Sequence, residues 1–365
     1  MIQKPFIIDG HLDLAWNALH FGRDYRYPVA TTRERELGGS VVARTGTATL
    51  GLPELRAAGV ALIFATLYAP PAHATMSDKV GYQDAEAAHA QYLEQLDLYR
   101  RWADEQPDDF SLITARDELE ALLAVYHDSE QAPLGLMVLM EGADGIREPE
   151  EVEWWLERGV RAIGLSWSAT RYAGGTAAPG PLTAEGRALL EQMGRHGAIL
   201  DLSHLSDEGV DEALERYDGP LMASHAAPRT LLPQSTVPER HLSDHALHGI
   251  AERGGVIGLV LGSGFLLDGW HFHRDRSQVT LDHVANAIDC LSDLLGSVAH
   301  IALGSDLDGG FGLESIPTGL ESVADLPRIG DVLADRGYTD EQIHAIFGLN
   351  WLRFLRHALP ETSDR

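Results

Sequence analysis

The sequence predicts a (β/α)8 TIM barrel, a closed ring of eight parallel strands with helices outside it. Eight short apolar, β-branched runs occur along the 365 residues, and most end in polar residues or glycine. The runs are almost continuously apolar, which is typical of strands covered on both faces. Stretches with apolar residues at i, i+3 and i+4 separate most of them, as expected for helical crossovers. An open, doubly wound sheet is the alternative.

The predicted elements follow one another along almost the whole chain, so we expect a single domain over residues 1–365. The predicted strands are Phe6–Asp13, Val60–Tyr68, Leu134–Glu141, Ala162–Trp167, Ala198–Ser203, Leu221–His225, Val256–Leu261 and His300–Asp306. The predicted helices are Tyr82–Glu105 and Asp117–His127 in the second crossover, then Glu150–Glu157, Ala184–Arg195, Asp207–Arg216, Ser243–Arg253 and Leu281–Leu295, with extra terminal helices within Asp325–Ala358. Gly22–Gly51 lacks periodicity, and we interpret it as a long loop that serves as a lid.

The charge balance excludes several classes of partner. The chain has 28 Lys plus Arg against 55 Asp plus Glu, a net charge of −27. Nucleic acids and anionic membranes are bound through clustered basic residues, so we expect neither as a partner. The N-terminus does not resemble a secretory signal, no apolar run approaches the length of a membrane span, and Cys290 is the single cysteine. We therefore expect a cytoplasmic protein.

Metal-binding residue types stand at the C-terminal ends of five predicted strands, the face where barrel enzymes build their sites. They lie in Asp9–Asp13, at Glu141, in Ser203-His204, in Ser224-His225 and in Ser305–Asp308. His11 and Asp13 are two positions apart in an extended segment, so both project to the same side. These residue types predict a catalytic divalent metal such as zinc. Each of these residues also has a possible structural role, and turn formation explains Asp308 better than metal binding does.

Five ligands exceed the three that one catalytic zinc usually takes, which favours two metals with a shared bridging group. A carbamylated lysine is not expected as the bridge, because Lys4 precedes the first strand and Lys79 follows the second. Glu141 is therefore the candidate bridge. Asp306, at the end of the last strand, is the candidate general acid and base.

The motifs DGHLD, EG, DLSH, ASH and GSDLDG, in this order and at these strand ends, resemble the membrane dipeptidase (renal dipeptidase) family, peptidase family M19, among the amidohydrolase-like metal barrels. The resemblance covers almost the whole chain. It implies that His11 and Asp13 bind one zinc, that Glu141 bridges, and that His204 and His225 bind the second. It also implies two Zn²⁺ per subunit, a homodimer, and dipeptide substrates that include L-Xaa-D-Xaa. The same ligands accept other divalent metals.

The resemblance further implies an arginine, in an RN-type segment after the sixth strand, that binds the substrate's carboxylate. The matching stretch begins at Arg240-His241, somewhat further beyond His225 than in the family pattern. A guanidinium suits a carboxylate because it donates two parallel hydrogen bonds. Arg229 is a nearby competitor, and the alternative roles for Arg240 are a surface salt bridge or a contact at a helix start.

Trp167 is a departure from the family, which has at the end of the fourth strand a histidine that contacts the scissile carbonyl. Trp167 either forms a wall of the substrate pocket or donates a hydrogen bond from its indole N–H in place of that histidine. Oxyanion stabilisation then falls to a metal, to Arg171 or to Tyr172.

These observations together predict a binuclear zinc dipeptidase. A hydroxide held between the metals attacks the peptide carbonyl, Asp306 transfers the proton and holds the substrate's amino group, and Arg240 binds the carboxylate. One alternative is a metal-dependent amidase or lactonase that acts on another small carboxylated substrate, which the Trp167 departure favours. The other is a non-catalytic metal-binding barrel, which the presence of every expected ligand disfavours.

Overall fold

The computed structural model describes residues 5–72, 81–129, 131–270 and 275–361. Its strands are β1 (Ile7–Leu12), β2 (Val60–Tyr68), β3 (Phe110–Leu112), β4 (Leu134–Glu141), β5 (Val160–Gly164), β6 (Ala173–Gly175), β7 (Ala178–Leu182), β8 (Ile199–Asp201), β9 (Leu221–Ala226), β10 (Ile257–Leu259) and β11 (Ile301–Leu303). Eight of them form a parallel barrel in the order β1-β2-β4-β5-β8-β9-β10-β11. Asp9 of β1 lies opposite Leu303 of β11, and this pairing closes the ring. The barrel prediction is confirmed, and the open-sheet alternative is wrong.

Three further strands were not predicted. β3 pairs with the first half of β4, at Leu134–Leu136, whereas β5 pairs with its second half, at Val138–Glu141. β3 therefore flanks the barrel. β6 and β7 form an antiparallel hairpin after β5. Strands of three to five residues carry too little apolar pattern to be recognised from sequence, and glycine in β6 and glycine and proline in β7 weaken the pattern further.

The helices predicted between the strands all form, with boundaries that shift by a few residues. The structure has α1 (Leu14–Phe21), α2 (Val29–Glu36), α3 (Ser40–Thr45), α4 (Leu52–Ala58), α5 (Ala85–Glu105), α6 (Arg116–Asp128), α7 (Val152–Glu157), α8 (Ala184–His196), α9 (Asp207–Arg216), α10 (Asp244–Glu252), α11 (Leu281–Leu295), α12 (Pro327–Asp335), α13 (Asp340–His344) and α14 (Asn350–Ala358). None of the helices in the described ranges is both long and apolar enough to cross a membrane.

The Gly22–Gly51 segment contains α2 and α3, so its prediction as a loop without helices is wrong. Buried polar contacts, instead of an apolar stripe, hold it. The Arg23 guanidinium lies 2.8 Å from Oε1 of Glu36 and 3.1 Å from Oδ2 of Asp308. Asp308 also accepts two hydrogen bonds of 2.7 Å from Thr49. Asp308 thus ties the segment to the region that follows β11, a structural role beyond the turn formation expected from its sequence.

One cluster of buried side chains combines residues of the barrel strands with α14. It includes Ile8, Phe64 and Leu139, and Trp351 of α14 packs edge-on against Phe64 with ring centroids 4.7 Å apart. The Trp351 indole donates a 2.8 Å hydrogen bond to the carbonyl of Leu303. The apolar core occupies the strands themselves, and the polar residues follow at their C-terminal ends.

Candidate metal centre

The predicted metal ligands come together at the C-terminal ends of the barrel strands. Glu141 Oε1 lies 3.1 Å from His204 Nε2 and 3.6 Å from His225 Nε2. The other oxygen, Oε2, lies 3.5 Å from His11 Nε2, which is itself 3.8 Å from Asp13 Oδ1. All five residues are buried. The carboxylate of Glu141 therefore stands between the imidazole of β1 and the imidazoles that follow β8 and end β9.

The chemistry of this donor set fits divalent metal ions. The ligand atoms of His11, Glu141 and His225 lie within 4.8 Å of one another, as do those of His11, Asp13 and Asp306. Burial and the neighbouring Glu141 raise the pKa of Asp13 to about 6. Burial also raises the pKa of Asp306 well above its usual value, and Asp13 and Glu141 add to the shift. The buried carboxylates of Asp13, Glu141 and Asp306 repel one another at these distances, and bound cations would neutralise their charge.

Hydroxyl groups hold the three histidines from behind. Ser224 Oγ lies 2.9 Å from Nδ1 of His225 and 3.3 Å from Nδ1 of His11. Thr176 Oγ1 lies 2.8 Å from Nδ1 of His204. Each Nδ1 is engaged, so each Nε2 is left to face Glu141, which is the arrangement that orients metal-binding histidines. Sequence reasoning missed Thr176, which lies on the unpredicted hairpin.

Two buried aspartates, also missed, support the same residues. Asp201 accepts a 2.6 Å hydrogen bond from Ser224 Oγ and backbone N–H bonds from Ser203 and Ser224. Asp9 accepts backbone N–H bonds from His11 and Ser305, at 3.2 and 2.8 Å. Both stand inside the quoted motifs DLSH and DGHLD, and an acidic residue at the end of a buried run was the signal that could have found them.

Left-handed backbone is concentrated at this site. Within the described ranges, the non-glycine residues with positive φ are His204 at 66°, Asp306 at 57° and Asp308 at 62°. Such conformations are unfavourable for residues with a Cβ and persist where the surrounding contacts hold them, often at functional sites. Two of the three are predicted site residues.

A cavity of about 420 Å³ opens over the candidate ligands. Its aromatic walls are Trp16, Phe21, Tyr68, Trp167, Phe265 and Phe311. Trp167 packs edge-on against Tyr68 with ring centroids 5.3 Å apart, so it forms a wall of the cavity. Arg44 and Thr45 of the Gly22–Gly51 segment also line it, which places that segment beside the site, as expected of a lid.

Arg240 and Arg229, the two candidates for binding the substrate's carboxylate, have different partners in the structure. Arg240 lines the cavity, is buried, and donates a 3.2 Å hydrogen bond to the carbonyl of His225. Among the described residues no carboxylate lies within 4 Å of its guanidinium, and burial lowers its pKa. Arg229 instead makes a two-pronged ion pair with Asp207, at 2.6 and 2.7 Å. Of these two arginines, Arg240 is therefore the one available to a ligand in the cavity.

Arg171 and Tyr172, two of the alternatives for oxyanion stabilisation, are absent from the lining of the cavity and bind a backbone carbonyl instead. Arg171 Nη2 donates to the carbonyl of Ile146 at 2.5 Å, and the Tyr172 hydroxyl donates to the same carbonyl at 2.5 Å. Tyr172 lies at the start of the β6–β7 hairpin and is fully buried there. Lys4 and Lys79 lie outside the described residues.

The model of the membrane dipeptidase family, peptidase family M19, matches residues 1–363 of this chain. The chain belongs to this family. Dipeptidase aclJ of Aspergillus oryzae is 27% identical to this M19 protein over 364 residues, which cover 97% of this chain and 78% of that protein. An uncharacterised protein from the pqqA 5′ region of Klebsiella pneumoniae is 32% identical over 239 residues, or 62% of this chain and 83% of that protein.

Solved structures of metallopeptidases share the fold. The crystal structure of dipeptidase AC, a metallopeptidase of family M19, matches with a TM-score of 0.78 and 25% identity, and covers 98% of this chain and 99% of that one. A metallopeptidase from Rhodobacter sphaeroides, liganded with a phosphinate mimic of the dipeptide L-Ala-D-Ala, matches with a TM-score of 0.78 and 24% identity over 97% of this chain and 99% of that one. Membership makes this M19 chain a metal-dependent dipeptidase, a hydrolase of peptide bonds.

Proposed function

We propose that this M19 dipeptidase is a binuclear zinc enzyme that hydrolyses dipeptides, including those of the L-Xaa-D-Xaa type. The observation that carries the proposal is the position of Glu141. One of its oxygens faces His11 and the other faces His204 and His225. A carboxylate whose two oxygens face separate sets of nitrogen ligands suits a bridge between two cations.

In this proposal His11, Asp13 and Glu141 hold one zinc, and Glu141, His204 and His225 hold the other. Bound zinc ions would supply a nucleophile derived from water near neutral pH and would polarise the scissile carbonyl. Manganese, cobalt or iron are accepted by the same ligands. The L,D preference is taken from the family resemblance, which implies tolerance of a D-residue at the C-terminal position.

Asp306 is proposed as the acid and base of the reaction. Its carboxylate lies within 4.8 Å of the imidazole of His11 and the carboxylate of Asp13, and Asp306 also lines the cavity. Burial raises its pKa above the ordinary value of an aspartate, which is the direction that suits a general acid and base. In this role it accepts a proton from the attacking water, holds the substrate's amino group, and donates a proton to the leaving amine.

Arg240 is proposed to bind the substrate's C-terminal carboxylate. Its guanidinium is buried beside the ligands, and the described residues offer it no carboxylate partner within 4 Å. A substrate carboxylate would satisfy that charge with two parallel hydrogen bonds. Because Arg240 and Glu141 line the same small cavity, a longer or amidated peptide would lose this contact.

Trp167 favours a second candidate, an amidase or lactonase that acts on another small carboxylated substrate. The indole occupies the wall where the family places a histidine donor, and it packs on Tyr68 instead of supplying an imidazole. Turnover of N-acyl amino acids and lactones, compared with dipeptides, separates the two functions. A homodimer, also taken from the resemblance, is tested by the mass of the protein in solution. The cytoplasmic location stays a prediction.

The experiment that tests the dipeptidase proposal uses the purified chain, stripped with a chelator and then loaded with zinc. A panel of L,L- and L,D-dipeptides and their C-terminal amides is offered to both forms. We expect zinc-dependent cleavage of free dipeptides and at least about tenfold slower cleavage of the amides, since the amides lose a charge-assisted hydrogen-bond pair. Cleavage of lactones or N-acyl amino acids, without cleavage of dipeptides, would favour the second candidate.

A further inference from the structure

A second cavity, of about 430 Å³, lies on the far side of Arg240. Arg240 and Phe265 line both this cavity and the metal cavity, so these two side chains form the boundary between them. The remaining walls include His241 and Ser235. The proposed chemistry uses none of these other residues.

The environment of the His241 ring in the second cavity has no role in the proposed chemistry. The residue is 4% exposed, and its Nε2 lies 3.0 Å from Ser235 Oγ. Its Nδ1 is buried without a hydrogen-bond partner among the described residues. A buried polar atom of this kind is unfavourable unless a ligand or water satisfies it.

His241 is linked to the carboxylate-binding position through one aromatic ring. The imidazole packs edge-on against Phe265, with ring centroids 5.6 Å apart. The Arg240 guanidinium lies 4.9 Å from the centroid of the same ring. In a dipeptide, the C-terminal carboxylate and the side chain of the second residue leave the same Cα. A dipeptide whose carboxylate binds Arg240 therefore carries its second side chain next to this boundary.

We propose that the second cavity receives the side chain of the substrate's second residue and that His241 selects an uncharged hydrogen-bonding side chain, in particular an amide. The inference rests on the proposed function. It assigns His241 a role in specificity and leaves the hydrolytic chemistry to the metal cavity.

The charges around the second cavity favour an uncharged side chain. Burial, with Arg240 and Arg229 nearby, lowers the pKa of His241 to about 3, so the ring is neutral. The carboxylate of Asp268 already accepts hydrogen bonds from the backbone and side chain of Gln234, at 3.0 and 2.9 Å. Nδ1 of a neutral ring is a donor in one tautomer and an acceptor in the other, and an amide group pairs with either.

The test compares L-Ala-Asn with L-Ala-Leu, which have second side chains of nearly equal shape, in both L and D forms of the second residue. In the zinc-loaded wild type we expect kcat/KM for the asparagine substrate to exceed that for the leucine substrate about five- to tenfold, the value of one hydrogen bond. The variant H241F should bring this ratio to about one, and H241N, which keeps a hydrogen-bonding group, should restore part of it. His248 is exposed on α10, and H248F should leave the ratio unchanged.

A ratio near one in the wild type, or a ratio that survives in H241F, would overturn the subsite even though dipeptides are hydrolysed. Hydrolysis of neither substrate would count against the proposed function instead. In that case the subsite proposal is tested with the dissociation constants of the corresponding phosphinate dipeptide mimics, since binding needs no turnover. Tighter binding of the asparagine mimic that is lost in H241F supports the subsite, and equal binding overturns it.

Discussion

The hydroxyl of Ser224 donates a 2.6 Å hydrogen bond to Oδ2 of Asp201, at the ends of two neighbouring barrel strands. The same hydroxyl oxygen lies 2.9 Å from Nδ1 of His225 and 3.3 Å from Nδ1 of His11. In the proposed centre these histidines bind different metals. One serine, held by one buried carboxylate, therefore orients ligands of both.

Replacing Ser224 should weaken both metal sites. In Ser224→Ala the two imidazoles lose the acceptor that fixes their orientation, and we expect the affinity for zinc to fall about 10- to 100-fold. Competition with a fluorescent chelator measures this directly, without reference to activity. Ser297→Ala, at an exposed position, is the control. Unchanged zinc affinity in Ser224→Ala would show that the serine plays no part in orienting the ligands.

Glu141→Gln tests the bridging carboxylate. The amide keeps the size of the side chain but removes the charge and one acceptor oxygen that would face the histidines. We expect less than two zinc ions per chain by elemental analysis and a loss in kcat/KM of at least about a thousandfold. The exposed Glu150→Gln should bind zinc like the wild type. Full activity of Glu141→Gln would rule out Glu141 as the bridge.

Asp306→Asn should separate proton transfer from metal binding. The amide cannot accept and return a proton, so kcat should fall about 10²- to 10⁴-fold while the zinc content stays at the wild-type value. Steady-state kinetics and elemental analysis on one preparation measure both quantities. If the zinc-loaded variant retained wild-type kcat, Asp306 would not be the acid and base.

Arg240→Met should weaken substrate binding by removing the cation. We expect KM for dipeptides to rise at least about tenfold and the preference for free dipeptides over their amides to disappear. Kinetics on a dipeptide and its amide give both results. A variant that still discriminated against the amide would place carboxylate recognition elsewhere.

Acid should destabilise the fold partly through His241. Its pKa is lowered to about 3 in the folded chain, against an ordinary value of 6.5. Between these values the unfolded chain binds a proton at His241 and the folded chain does not, so this residue's contribution to stability is complete above pH 6.5 and declines as the pH falls. From pH 7 to 5 the metal-free wild type should lose about 2 kcal/mol more free energy of unfolding than His241→Asn. Urea unfolding at both pH values measures the difference, and equal losses would show that His241 is not buried in the neutral form.

The barrel could be predicted because each of its eight strands is buried on both faces and reads as an apolar run. The candidate ligands could be placed because His11, Glu141 and His225 stand where such runs end. The fixed geometry of a parallel barrel brings those ends together.

Other features depend on contacts that are distant in sequence. Thr176 reaches His204 from a hairpin too short and too rich in glycine to show a pattern. The fold of Gly22–Gly51 depends on Arg23, whose partner Asp308 is 285 positions away along the chain. Neither pairing leaves a local signal in the sequence. The same holds for the contact between Asp201 and Ser224, which joins two strands whose motifs were recognised separately.

The most direct test of the binuclear dipeptidase is to add zinc in known amounts to the metal-free chain and to follow the hydrolysis of a dipeptide and of its amide. We predict that activity on the free dipeptide rises until two equivalents of zinc are bound per chain, with at least about tenfold lower activity on the amide. Full activity at one equivalent would contradict the two-metal centre. A chain that holds two zinc ions and hydrolyses no dipeptide would contradict the proposed substrate.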